Sequence, residues 1–148
     1  MLRETTRTTE MNREEIQEYL PHRAPMLLLD SAGTDEAGVC HATYRIPEDP
    51  FYCQGHFPGN PIVPGVILCE IMAQSCFHLM LEEFKNNLVM YRALESVKFR
   101  NSVFPGDLCE ITARLEEHKG SLYVCDTTLS VGGKRCAQAR ITLAAVPK

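Results

Sequence analysis

Two residues carry the chemistry that this sequence can do. One is His56, set in the run Gly55-His56-Phe57-Pro58-Gly59-Asn60-Pro61-Ile62-Val63-Pro64-Gly65; the other is Glu70, fourteen positions further on. An unperturbed imidazole titrates near about 6.5, so it can take or give a proton at neutral pH. Glu70 is flanked by Cys69, Ile71, Met72 and Ala73, an apolar setting expected to raise its pKa by desolvation. A carboxyl that keeps its proton can donate it, and a neutral histidine can remove one. Such a pair suits proton abstraction beside a carbonyl, coupled to protonation of a leaving hydroxyl. The helix that starts at Pro64 adds exposed N–H groups, that of Gly65 among them, and the positive end of a dipole. A thioester oxygen placed there would be stabilised as it gains enolate charge.

Each residue also has an ordinary structural reading. A histidine in a loop can be solvated or structural. A glutamate inside an apolar helix is costly to leave unpaired, but it can cap a backbone group or pair with an arginine. Gln74 and His78 follow Glu70 at i+4 and i+8 and continue a polar stripe on one helix face. That stripe reads as a satisfied seam at a dimer interface, and for His78 the structural reading is preferred.

The elements that must position these residues follow from local pattern. Prolines 58, 61 and 64 forbid a helix through residues 55–63, so His56 sits on a shaped loop. Pro64 suits the first turn of a helix, and the apolar run behind it predicts one long helix from Pro64 to about Phe84, stopped by Lys85-Asn86-Asn87. Being apolar on nearly every side, it should be wrapped by other elements. Upstream, Asn12 and Glu15 form a capping-box pair for a short helix, and Met26-Leu27-Leu28-Leu29-Asp30 favours a strand by its length and bounding turns. Val39–Ile46 alternates and reads as a strand. Downstream everything is strand-like: 88–91, 94–104, 108–116, 121–131 and 134–146, the last two joined by the hairpin signal Gly132-Gly133. A long buried helix followed by antiparallel strands is an α+β arrangement, a sheet wrapped around a helix.

Composition bounds the alternatives. The 148 residues are expected to form one domain over 12–148, with residues 1–11 a flexible, threonine-rich arm. A formal net charge of −4, without a basic run, argues against nucleic acid as a partner. The polar N-terminus reads as lacking a secretory signal, and Glu70, Gln74 and His78 interrupt the apolar stretch 62–81, which favours burial in protein over membrane insertion. The seven cysteines are odd in number and none is spaced as a zinc or redox motif. They read as small hydrophobes of a protein in the reducing cytoplasm.

The run Leu20-Pro21-His22-Arg23-Ala24-Pro25-Met26-Leu27-Leu28-Leu29-Asp30, the Gln54–Val66 loop, Glu70-Ile71-Met72-Ala73-Gln74, and Val97-Lys98-Phe99-Arg100 with Pro105-Gly106-Asp107 together resemble the FabZ-type 3-hydroxyacyl-acyl-carrier-protein dehydratases. The resemblance covers about residues 12–146 in order, and the His-Phe-Pro-Gly loop with its downstream glutamate is the specific part. It implies a hotdog fold and a homodimer with shared active sites, assembled into a trimer of dimers. It also implies a substrate carried on the phosphopantetheine of acyl carrier protein, with no metal and no other cofactor. By that resemblance His56 takes the C2 proton of a (3R)-3-hydroxyacyl chain and Glu70 of the partner subunit assists departure of the hydroxyl. The product is the trans-2-enoyl thioester, and Gly65 N–H binds the thioester carbonyl. Phe57 and Val66 lie near the mouth of the acyl tunnel, and the family's aromatic gate position falls at Met90, beside Tyr91. Arg23, Lys98 and Arg100 could meet an acidic carrier protein, or be solvated surface charges. The alternatives are a bifunctional dehydratase/isomerase, in whose group aspartate typically replaces the glutamate, a thioesterase on the same fold, and a non-catalytic acyl-thioester-binding module.

Overall fold

A computed structural model of the chain describes residues 10–148. Most of the expected N-terminal arm lies outside the described residues, and Met11, its last residue, already pairs with Ala32. One antiparallel sheet of seven strands dominates. In chain order the strands are β1 (Met11–Asn12), β2 (Ser31–Thr34), β3 (Val39–Arg45), β4 (Asn87–Phe99), β5 (Leu108–Lys119), β6 (Leu122–Val131) and β7 (Lys134–Pro147). They are arranged β1-β2-β3-β5-β6-β7-β4, which leaves β1 and β4 at the edges. The helices are α1 (Arg13–Ile16), α2 (Gly65–Ser75) and α3 (Leu81–Asn86). The inner sheet face, carrying Cys40, Ala42, Ile111, Ala113, Cys125, Leu129 and Ile141, closes over Leu68, Ile71, Met72 and Phe77, all buried. This is the α+β arrangement that the pattern of elements implied, with the hotdog fold that the resemblance implied.

Three local expectations hold. The capping box forms, with Glu15 N–H donating to Asn12 Oδ1 at 2.9 Å and Asn12 N–H donating to Glu15 Oε1 at 2.9 Å. The strands on either side of Gly132-Gly133 pair as a hairpin, both glycines having positive φ. All seven cysteines are buried and unbridged. Burial pushes the Cys69 and Cys109 thiols up, Cys109 to about 12, so both stay uncharged and pack as small hydrophobes.

Two expectations fail for physical reasons. The helix from Pro64 does not run unbroken to Phe84: α2 ends at Ser75, a tight 3-10 turn covers Cys76–Leu79, and α3 restarts at Leu81. Ser75 Oγ donates back to the Met72 carbonyl at 2.6 Å, a local bond that competes with the helical ladder. The tighter turn brings Phe77 between Tyr19 and Phe84 and aligns His78 Nδ1 with Thr34 Oγ1 at 2.7 Å. The second failure is Met26–Asp30, which is not a strand. Its leucines are fully buried; side chains reach the backbone of Met26–Leu29, and at Asp30 the N–H donates to Thr43 O of β3 at 2.7 Å. Gln74 Oε1 accepts from Leu28 N–H at 2.9 Å, Gln74 Nε2 donates to Met26 O at 2.8 Å, and the Arg13 guanidinium donates to Leu27 O and Leu29 O. Buried backbone groups need partners, and here side chains of α1 and α2 supply four of them.

Gln74 is only 3% exposed, so its loss would strand a buried donor and a buried acceptor together. Gln74→Leu is expected to lower the unfolding free energy by about 2–4 kcal/mol, read from urea melts; a loss below about 0.5 kcal/mol would show that the 26–28 segment does not depend on this amide.

Candidate active site

The loop holding His56 is braced at both ends. Phe57 N–H donates to Asn60 O at 3.0 Å and Asn60 N–H to Phe57 O at 2.8 Å, closing a tight turn in which Gly59 has φ +72°, a backbone that L side chains rarely adopt. His56 and Ile62 bond twice: Ile62 N–H donates to His56 O at 2.8 Å, and His56 Nδ1 lies 2.9 Å from Ile62 O. A carbonyl only accepts, so Nδ1 carries a proton, and in the neutral ring Nε2 is the nitrogen with the free lone pair. The ring stacks on Phe57 with centroids 4.0 Å apart. The histidine is thus held in the tautomer of a base.

His56 lines a cavity of about 540 Å³ with Val63, Gly65, Val66, Phe99 and Arg100. Pro64 caps α2, its carbonyl accepting from Ile67 and Leu68. The N–H groups of Gly65 and Val66 belong to the first turn, which has no intrahelical partners to offer them. A Cβ on Gly65 would stand 2.8 Å from the Phe99 ring, so the glycine allows the ring to cover the helix start.

Glu70 occupies a second cavity, of about 270 Å³, with His22, Gln74, Met90, Tyr91 and Leu143 among its lining. Its Oε1 accepts from the Tyr91 phenol at 2.9 Å, its Oε2 from Gln74 Nε2 at 3.0 Å, and His22 Nε2 lies 3.5 Å from Oε2. Burial pushes this carboxyl up, as its apolar neighbours implied. The contacts with His22, Gln74 and Tyr91, together with the charge of His22, outweigh burial and leave the pKa below the ordinary glutamate value. The expected net rise is therefore corrected to a net fall, because polar partners from the next turn and from outside the helix reach a carboxylate whose immediate neighbours are apolar.

Within one chain the base and the carboxyl are not brought together: His56 and Glu70 line different cavities. The other expected site residues divide the same way. Gly65 and Val66 lie with His56, Phe57 stacks on the His56 ring and is half exposed, and Met90 lies with Glu70. The polar stripe Glu70-Gln74-His78 finds partners inside the subunit: Tyr91, the Met26–Leu28 backbone and Thr34. Arg23 is drawn into the fold, its guanidinium donating to the carbonyls of Gln17, Leu20 and His22. Arg100 stands at the His56 cavity and Lys98 is exposed on β4.

The ApeI-like family model, described as ApeI dehydratase, matches residues 32–138. The FabZ 3-hydroxyacyl-[acyl-carrier-protein] dehydratase of Streptococcus equi subsp. zooepidemicus is 40% identical, covering 90% of this chain and 97% of its own. That of Campylobacter curvus is 38% identical with the same coverage. The chain belongs to the FabZ dehydratase family. Solved structures agree on the fold: the dehydratase heterocomplex ApeI:P from Xenorhabdus doucetiae superposes with a TM-score of 0.75 at 21% identity, over 90% of this chain and 91% of that one. The E. coli PaaI protein superposes at 0.58 and 17% identity, over 80% and 78%.

For this FabZ-family chain, sequence reasoning missed His22 and Tyr91 as partners of Glu70. His22 was visible only as part of a motif, and Tyr91 only as the neighbour of the gate position. The Ile62 carbonyl was missed too, since no residue type marks a backbone acceptor. The His56 tautomer is testable directly. In ¹⁵N spectra of the neutral ring, Nδ1 should show the protonated and Nε2 the unprotonated shift; the reverse would remove Nε2 as base.

Proposed function

We infer that each active site of this hydro-lyase is built by two copies of the chain. The reaction is dehydration of 3-hydroxyacyl-acyl carrier protein in fatty acid biosynthesis, the activity for which its relatives are named. One observation carries the two-copy reading: the base and the carboxyl that the chemistry needs lie in separate cavities of one subunit. Edge strand β4 supports it. Leu88, Met90, Tyr91, Leu94 and Phe99 are all 43–53% exposed along this one unpaired edge, and an open apolar edge invites an isologous partner. For the reaction, such a two-fold pairing must face the His56 cavity of one subunit with Glu70 of the other. We extend the proposal to a trimer of such dimers, on family resemblance alone.

The thioester carbonyl accepts from Gly65 N–H at the start of α2, where the helix dipole favours the charge that develops on oxygen. His56 Nε2 takes the C2 proton of the (3R)-hydroxyacyl chain. The electron pair of the C2–H bond becomes the second bond between C2 and C3, and the C3–O bond breaks. The departing oxygen takes a proton from the Glu70–His22 pair of the partner subunit and leaves as water, giving the trans-2-enoyl thioester. His56 returns its proton to solvent and the pair recovers one, so the cycle balances. C2 is oxidised as much as C3 is reduced, so the step needs no redox cofactor, and each proton has a side chain to carry it without a metal; the acyl group arrives on phosphopantetheine. Phe57 and Val66 sit by the mouth of the acyl tunnel and Met90 along it. The carrier protein, which is acidic, would approach near Arg100 and Lys98. Among the described residues no helix is long and apolar enough to cross a membrane, and seven buried, unbridged thiols fit the cytoplasm we propose for it.

The test is enoyl-thioester formation from 3-hydroxyacyl-acyl carrier protein at several chain lengths. Wild type should turn over, and His56→Ala and Glu70→Gln should each lose about a thousandfold or more in kcat. A folded wild type that binds carrier protein without turnover would make this a binding module instead.

A further inference from the structure

The proposed mechanism leaves one polar group beside the carboxyl unexplained, the Tyr91 phenol. We propose that Tyr91 is a positioning residue for Glu70: its hydroxyl fixes Oε1 so that the carboxyl faces the substrate's 3-hydroxyl in a single orientation. This inference rests on the dehydratase reading above.

The geometry is a clamp with donors from three separate elements. On one side, Tyr91 Oη, from β4, lies 2.9 Å from Oε1 and 3.3 Å from the Cys69 carbonyl. On the other, Gln74 from the next turn of α2 donates to Oε2 at 3.0 Å, and His22, from the turn after α1, stands 3.5 Å from the same oxygen. Gln74 cannot swing away, because its amide is tied to Met26 O and Leu28 N–H. Oε2 is therefore anchored to the buried body of the subunit. Oε1, the oxygen left over, takes its hydrogen bond from the phenol. A carboxyl anchored at one oxygen can still rotate, and near-attack geometry is lost with small displacements.

The titratable groups facing Glu70 are His22 from the turn after α1, Tyr91 from β4 and the Cys69 thiol beside it on α2; Leu20, Ala73, Phe84, Val89 and Leu143 complete an otherwise apolar wall with Met90 and Gln74. Burial, then the charge of Glu70, push the phenol up, so it stays a donor throughout the range in which the enzyme works. A hydrogen bond to the charged carboxylate favours the ionised form. Removing the phenolic hydroxyl thus has a defined sign: the Glu70 titration moves upward.

Tyr91→Phe keeps the ring and deletes only the donor. With ¹³C-labelled glutamate, and the Glu70 carboxyl signal assigned by its absence in Glu70→Gln, the variant should show an upward shift of the Glu70 titration midpoint. Its kcat should fall about tenfold or more, with KM within about twofold of wild type. A purely structural phenol would change the melting temperature and leave both midpoint and kcat where they were, and either one unmoved overturns the proposal. Should Tyr91→Phe fail to fold, protein grown on 3-fluorotyrosine retains ring and hydroxyl. Its more acidic phenol is a stronger donor and should move the Glu70 midpoint downward; an unmoved midpoint overturns the proposal equally. A wild type with no turnover would defeat the dehydratase reading, whereas an active wild type matched by Tyr91→Phe would defeat only the role of Tyr91.

Discussion

Gln74 sits in the most apolar helix of the chain with its amide almost wholly buried, and both ends of that amide are used. Its oxygen takes the Leu28 N–H; its nitrogen serves both the Met26 carbonyl and Glu70 Oε2. A buried amide with these partners is worth having only while all of them are present, since each orphaned group would carry the full cost of its desolvation. The single side chain therefore couples two requirements. It lets Met26–Leu28 lie across the core without a strand neighbour, and it anchors one oxygen of the acid group. The leucine-rich segment in turn carries the preceding turn, and hence His22, up to the same carboxyl. Stability and chemistry share one hydrogen-bond network.

The two halves of the chemistry are prepared differently. His56 is set by backbone: a proline-bracketed loop, a tight turn at Gly59 and one carbonyl that fixes the tautomer. Glu70 is set by side chains gathered from three parts of the chain. The contrast suits the roles. A base needs one lone pair aimed and its other nitrogen occupied. A group that must pass a proton on needs its protonation state adjusted, and the opposing pulls of burial and of polar donors on Glu70 provide that adjustment.

Much of this was legible in the sequence where the signal was local. The Asn12–Glu15 cap, the Gly132-Gly133 hairpin, the strand alternation of 39–46 and the loop around His56 are written in adjacent residues. The failures come mostly from partners distant in sequence. The helix break at Ser75 follows from a hydroxyl turning back on its own backbone and from the burial of Phe77. Leu27–Leu29 looks like a strand until Arg13 and Gln74 reach its backbone. The expected rise in the Glu70 pKa considered its immediate neighbours in sequence, while the groups that reverse it come from positions 22, 74 and 91. The motif containing His22 was in view, but nothing local said that its ring faces Glu70.

The claim on which the account turns is that one subunit's His56 works with its partner's Glu70. Mixing His56→Ala with Glu70→Gln protein, after dissociation and reassociation, tests it most directly. Two inactive proteins should then regain about a quarter of wild-type turnover, because half of the dimers are mixed and each mixed dimer holds one intact site of two. If the mixture stays inactive while mixed dimers demonstrably form, the two residues act within one subunit and the shared site is wrong.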